Sequence, residues 1–451
     1  MVKKNVVDML DGSIVKGLLS LTMPIMIMNV AQSLFNIVDL IVLGNLVNDS
    51  AVGSVGACGM LITLCTGFLI GVATGANVIV ARHIGEKDRE HTDKAIGSSV
   101  LFALVAGVIM MLVGIFCAET FLRWMNCPAN LLDGAVTYFR LYFLGVPFIL
   151  MYNFCASILR ATGDTKRPMY FLILSSVLKV SLNIFFITVC HLTVEGVALA
   201  TVVSNGVACA LAFLTLCRGN AKAQFRFKNL RMDMQELKGI LYIGVPTGLQ
   251  SALYAFANVI IMTTVNGFGS DATTGISIAN QFDNILYVIT QAPALAAMPY
   301  IAQNIGASQF KRARQATLRA IFISSAFGLV FGSLSAIFSA QLASTMTASP
   351  AIIGFAQDKM MLISSTYFIS AINEILGGAL KGMGKPILPT VSTMVFMCGI
   401  RFVWVYLVFP LYPNLTFLYL IWPIGWTLSI ITLLIAYFPA MRKLEKSAEL
   451  A

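Results

Sequence analysis

Charge is what this sequence has least of. Only 11% of its 451 residues are Asp, Glu, Lys or Arg, against 58% hydrophobic, and the mean hydropathy is +0.84. Water-soluble domains run to roughly a quarter charged and about half apolar, so a soluble globular protein is excluded. Histidine is scarcer still, at three, and the nine cysteines scatter through apolar runs without CxxC spacing. A zinc site or a disulfide framework therefore has no basis, although Cys117 and Cys127 stand where they could meet at the outer face. No GxxxxGK[ST] loop occurs, so ion gradients must drive any transport unless another subunit supplies nucleotide hydrolysis. An intramembrane transferase would need paired acids or clustered histidines at active depth. His83, His91 and His191 instead fall in loops or at the ends of apolar runs. No cofactor, metal or nucleic-acid partner is expected, because no basic face of a soluble domain exists to carry the last.

Long apolar runs are what is there. A membrane crossing takes about 20 apolar residues, and such runs fall at 16–43, 51–80, 95–117, 132–158, 168–190, 194–217, 238–265, 273–303, 315–346, 352–379, 386–410 and 415–440. The reading is an all-α polytopic membrane protein of twelve spans. The first run is too long for a signal-peptide core and is expected to stay as a span. Of the 30 Lys and Arg, 25 gather in the N-terminus and in the loops on one side of the predicted membrane, so by the positive-inside rule both termini are cytoplasmic.

The chain also repeats itself. KGLLSLTMP at 16–24 matches KGILYIGVP at 238–246, and NDSAVGS at 48–54 answers GSDATTGIS at 269–277, both at an offset of 222. Gly85 in RHIGEKDRE pairs with Gly306 in QNIGASQFK, and LRATGDTKRP at 159–168 with LKGMGKPILP at 380–389, at an offset of 221. Six helices lie between the copies, an even number, so the repeats are parallel, as in some secondary transporters. The division expected is 1–222 and 223–451, with a basic linker at about 218–238. Gly and Asp in the matched loops suit tight helix connections, and Pro168 and Pro389 can open the next helix.

On these residues the chain resembles the multidrug and toxic compound extrusion (MATE) family: Pro24, NIVDLIVLGNL at 36–46, GVATGANVIVARHIGEKDRE at 71–90, LRATGDTKRP, QNIGASQFKRAR at 303–314 and LKGMGKP at 380–386. The resemblance implies a V-shaped pair of six-helix lobes. It also implies alternating access that exports amphipathic, cationic small molecules against protons or sodium ions, from a bacterial cytoplasmic membrane and as a monomer in lipid. It places Asp39 as the coupling carboxylate and Gln32, Asn153 and Thr201 around it. The fifth span departs from the family, with Lys179 and Asn183 where an Asn and an Asp are common. The acids of the sodium-associated branch are also missing, the aligned positions falling near Tyr254 and Ser370. A lipid-linked oligosaccharide flippase of the same superfamily is the alternative, and it usually adds helices or a strongly basic cavity.

The charges inside the apolar runs decide more. Asp39 sits in SLFNIVDLIVLGNL at 33–46. A charge there is costly unless it faces protein, and Lys179 is its candidate partner, in a fixed pair or in a proton switch. Burial raises a carboxylate's pKa and an adjacent ammonium lowers it. Sodium would instead need oxygens from Asp39, Gln32, Asn153, Asn183 and Thr201, with an ammonium working against it. In the second half Asp283 is expected to bridge Arg401 as a mirror of the first pair, Arg401 lying next to the repeat-equivalent of Lys179, with Tyr254 a candidate residue of the same cavity. Glu374, two turns before Lys381, is expected to pair with it near the cytoplasmic surface, a place in the cavity being the alternative. Arg140 and Lys359 are expected to snorkel to the outer surface.

Overall fold

A computed structural model of the chain describes residues 6–47, 49–125, 127–219 and 223–449, without the side chains of a stretch of the first helix and the start of the second that includes Asn36, Asp39 and Asp49. Seventeen α-helices are described: α1 (Ile14–Leu46), α2 (Asp49–Glu86), α3 (Arg89–Trp124), α4 (Ala129–Leu144), α5 (Val146–Ala161), α6 (Lys166–Thr188), α7 (Val194–Arg218), α8 (Met234–Asn266), α9 (Ser270–Gly306), α10 (Phe310–Ile337), α11 (Ser339–Ser344), α12 (Pro350–Ser365), α13 (Tyr367–Gly382), α14 (Ile387–Ser392), α15 (Ile400–Val403), α16 (Leu415–Tyr419) and α17 (Ile421–Glu449). Ten stretches are long and apolar enough to cross a membrane, or up to twelve if each of two bent pairs is one span. These pairs are α4 with α5, bent by 43°, and α12 with α13, bent by 50°. Phe116, Phe322 and Ile435 are 77%, 76% and 70% exposed. Side chains of that size face outward where the solvent is hydrocarbon, and helices satisfy their own backbone groups there.

The repeat is visible in the backbone. At the α2–α3 turn Lys87 takes a φ of 58°, and at the α9–α10 turn Ser308 takes 57°. The N–H of Lys87 donates to Ile84 O and that of Asp88 to His83 O, just as Ser308 donates to Ile305 O and Gln309 to Asn304 O. The left-handed residue is thus not Gly85 or Gly306, which stay helical. In the α5–α6 and α13–α14 turns glycine does bear the strain, Gly163 at 93° and Gly384 at 75°. Asp88 caps α3, accepting the His91 N–H at 3.0 Å, and that bond holds its carboxyl below the usual range. Cys117 and Cys127 are free thiols and do not pair.

Two compact units make up the chain: residues 1–7 with 27–248, and residues 8–26 with 249–451. The first unit contains the opening half of α8, and the second the opening half of α1. In the first unit α2 and α8 touch backbone to backbone. A Cβ on Gly244 would lie 2.6 Å from Val72 O, and one on Gly75 would collide with Ile240 O. Gly239 leaves room for Ile79, at 3.2 Å from a built Cβ. In the second unit the repeat-equivalent Gly17 leaves room for Tyr300, at 3.1 Å.

The helix openings are clasped at equivalent positions. His83 Nδ1 lies 2.9 Å from Glu86 Oε2 and its Nε2 lies 3.0 Å from Glu236 Oε2 on α8. In the second unit Asn304 donates to Met9 O at 3.0 Å, and Arg312 donates to the carbonyls of Met9, Asp11 and Gly12 at 3.3, 2.9 and 3.0 Å. An offset of 221 relates His83 to Asn304 and His91 to Arg312.

The glycine contacts give a direct test. Gly75→Ala must push α2 and α8 apart and is expected to lower the melting temperature in detergent. Gly59→Ala, with nothing within 4 Å of its Cβ, should be neutral or gain up to about 1 kcal/mol of helix propensity. Equal melting of the two variants would refute backbone contact at Gly75.

Candidate functional site

The first unit gathers polar side chains on α5, α6 and α7. Ser175, Lys179 and Asn183 recur every fourth residue and so share one face of α6. Ser175 Oγ donates to Ser204 O at 2.8 Å, which turns that face toward α7. Asn183 is fully buried and Lys179 half-buried. Across from them Thr201 is buried, donating to Val197 O at 2.9 Å, and Asn205 donates to Thr201 O at 2.8 Å. Asn153 on α5 donates to Ile149 O at 2.8 Å. These bonds to the preceding turn of the same helix hold polar groups in an apolar bundle. Gln32 on α1 is exposed. The Asp39 side chain lies outside the described residues.

The second unit is more fully charged than expected. Asp283 on α9 meets Lys359 on α12, Oδ2 to Nζ 2.8 Å, with the side chains only 13% and 2% exposed. Lys359 also donates to Asn280 Oδ1, one turn before Asp283, and Tyr367 OH donates to Asp283 O at 3.0 Å. The expected Asp283–Arg401 bridge is therefore not formed, and Lys359 does not snorkel. Its helix stops at the bend after Ser365, which leaves Lys359 facing α9.

Arg401 on α15 is buried and donates to Asn258 Oδ1 on α8 at 2.6 Å. Its Cζ lies 5.5 Å from the ring centre of Tyr254 and 5.2 Å from that of Trp422. Lys359 Nζ lies 5.8 Å from the same Trp422 ring, so two cations share one indole. Among the described residues no carboxylate pairs with Arg401, and Glu374, half-buried on α13, forms no ion pair with Lys381.

The register explains where Arg401 sits. Residues Thr393–Gly399 and Trp404–Val408 are π-helical. A π turn accommodates one extra residue in a helix, which returns the repeat offset from 221 at Gly163 and Gly384 to 222. At that offset Lys179 corresponds to Arg401, Asn36 to Asn258 and Asp39 to Ile261.

The sequence model of the MatE family matches residues 24–185 and again 246–407, copies that begin at Pro24 and Pro246. The chain belongs to the MatE family. Among its relatives is the probable multidrug resistance protein YoeA of Bacillus subtilis, 26% identical over 385 residues covering 84% of this chain and 83% of that protein. Another is the FAD transporter of Shewanella oneidensis, 23% identical and covering 84% of each. Among solved structures, an outward-facing multidrug resistance MATE family transporter of the MOP superfamily superposes with a TM-score of 0.89 at 21% identity, covering 99% of this chain and 100% of that one. MatE membership makes the chain a multi-span membrane transporter rather than an enzyme.

Of the residues read from sequence, the structure brings Arg401 against Tyr254 and Asp283 against Lys359. Lys359, itself buried, and its and Arg401's partners Asn258, Asn280 and Trp422 were missed. The Asn280–Asp283 spacing, one turn on one face, was the available signal for a cation receptor.

Breaking one side of a buried ion pair typically costs about 3–5 kcal/mol, whereas replacing both partners by apolar groups is often neutral. Lys359→Met is thus expected to lower the melting temperature sharply, and the Lys359→Met/Asp283→Leu double variant to recover most of the loss. A double variant as unstable as the sum of the single ones would show that the pair is not the energetic unit.

Proposed function

We propose that the chain is a secondary antiporter that exports amphipathic small molecules from a bacterial cell by alternating access, with protons as the counter-ion and Asp39 and Lys179 as the coupling pair. Both termini lie on the cytoplasmic side in this reading, because the basic loops do. Relatives named as multidrug resistance and multidrug export proteins match over four-fifths of the chain, which supports drug-like substrates.

The observation that carries the coupling pair is the contact made by its counterpart. Arg401 reaches Asn258 on the second half of α8. By the repeat, its equivalent Lys179 in this reading approaches the turn of α1 that holds positions 36 and 39 in the sequence. A carboxylate and an ammonium buried together hold their charges only while they stay close. Moving α1 against α6 separates them and lets Asp39 take a proton, and bringing them together expels it. No metal ligand and no second acid is required.

The test is export of a fluorescent lipophilic cation from proteoliposomes under a proton or a sodium gradient imposed separately. Wild type is expected to respond to the proton gradient, and Asp39→Asn to bind the dye but lose at least about tenfold in driven export, the scale of a lost charge-assisted contact. Asp39→Asn export with its full dependence on the proton gradient would refute the coupling role, and sodium-driven export in wild type would replace the ion.

A further inference from the structure

The two halves differ in one respect that bears on substrate. Each sets a cation at the same place on its fifth span, Lys179 in one and Arg401 in the other, but the acid of α1 has no counterpart: Asp39 corresponds to Ile261. Arg401 is 2% exposed, and among the described residues its partners are neutral: the amide oxygen of Asn258 and the faces of Tyr254 and Trp422. Asp283, the acid that shares its aromatic cluster, is already engaged by Lys359 at 2.8 Å. A guanidinium at membrane depth is costly without an opposite charge, and neutral partners recover only part of that cost.

The surroundings are short of acceptors. Among the described residues Trp404 Nε1 and Tyr419 Oη are buried without hydrogen-bond partners. Both rings belong to the cluster around Trp422, Trp404 packing on Phe417 at 5.1 Å and Tyr419 on Trp422 at 6.4 Å between ring centres. Tyr419 is 1% exposed. Asp283 Oδ1 is also without a donor, so the cluster has one open carboxylate oxygen as well, but its charge is the one Lys359 neutralises. Glu374 on α13 is near enough to Tyr254 to act on it electrostatically but forms no ion pair with Arg401. Arg401 is thus left without a carboxylate in contact, beside two N–H or O–H donors against flat aromatic faces. The π turns on both sides of Arg401 mark a backbone of the kind often found at functional sites.

We propose that the second unit holds an anion subsite in which Arg401 takes the acidic group, a carboxylate, sulfonate or phosphate, of an aromatic amphipathic ligand. Trp422 and Tyr254 flank the ring system while the guanidinium fork binds the acid. The inference rests on the export reading and narrows its substrates to aromatic compounds that carry an acidic group, alone or beside a cationic one.

The experiment uses the full chain in nanodiscs and two probes with the same ring and opposite charges, 1-pyrenesulfonate and 1-pyrenemethylammonium, with binding read as energy transfer from tryptophan to pyrene. Arg401→Gln is expected to weaken pyrenesulfonate roughly tenfold or more, the scale of a lost charged hydrogen bond, and to leave pyrenemethylammonium unchanged or tighter. Arg401→Lys should keep most of the preference for the anion. Because Arg401→Gln could fail to fold, a second measurement uses wild type alone: pyrenesulfonate should slow modification of Arg401 by phenylglyoxal, read by mass spectrometry, and pyrenemethylammonium should not. Equal weakening of both probes in Arg401→Gln, or no weakening of either, overturns the subsite, as does equal protection by the two probes. Export of the lipophilic cation by the same protein in proteoliposomes is read in parallel. Its failure would count against the antiporter reading and leave the binding comparison to stand or fall separately.

Discussion

The cost of an unmatched charge in hydrocarbon governs this molecule. It removes charge from most of the chain and makes every remaining buried charge seek a partner inside the protein. Lys359 shows the rule at its strictest: at 2% exposure it is met by a carboxylate, an amide oxygen and an indole face at once. Arg401 shows the partial case, with an amide and two rings. The same constraint acts on the backbone, since helices are the economical way to satisfy amides in lipid. It also brings helices together through glycine, as along α2 and the start of α8, where apolar burial alone gives no drive toward contact.

The duplicated halves separate what is scaffold from what is specialised. Turns, bends and helix openings recur at equivalent places: Lys87 with Ser308, Gly163 with Gly384, and the two bent pairs of helices. These positions answer to geometry, which is the same in both copies. The cation of the fifth span recurs, as Lys179 and Arg401, but the membrane acids do not. Asp39 has Ile261 as its counterpart, and Asp283 has Leu61. A side chain that differs between two copies repeated in sequence is not required by the turns and bends they share, so a functional explanation gains weight at those positions.

Much of this was legible in the sequence because its signals are long or repeated. Apolar runs of about 20 residues mark spans, and an offset that shifts by a single residue over six helices marks a repeat. Three features were not legible. Lys359 was judged by its distance along the chain from a helix end, but the bend at Thr366 redirects the helix and buries it. The left-handed turn residues were sought at glycine, yet Lys87 and Ser308 carry them because the glycines are still within helix. The π turns around Arg401 leave no mark in composition. They show only as a change of offset between halves, which sets Arg401 on the equivalent of Lys179 and not beside it.

The exchange of helix openings bears on how two chemically different units could act together. The half of α1 that carries Asp39 belongs to the first unit, while the half before Ile27 belongs to the second, clasped there at Met9–Gly12 by Asn304 and Arg312. Likewise α8 carries Asn258 and Tyr254 in the second unit but starts in the first, with its Glu236 on His83 and its backbone on the glycine faces of α2. Each helix is continuous. In the proposed coupling, a shift of α1 at Asp39 would act on a helix whose opening turns belong to the second unit, and a shift of α8 at Arg401 on one whose opening turns belong to the first. Coupling between an ion site and a substrate site needs a physical element that both of them bias. In the proposal, the two helices shared in opposite senses are the elements that both sites would bias.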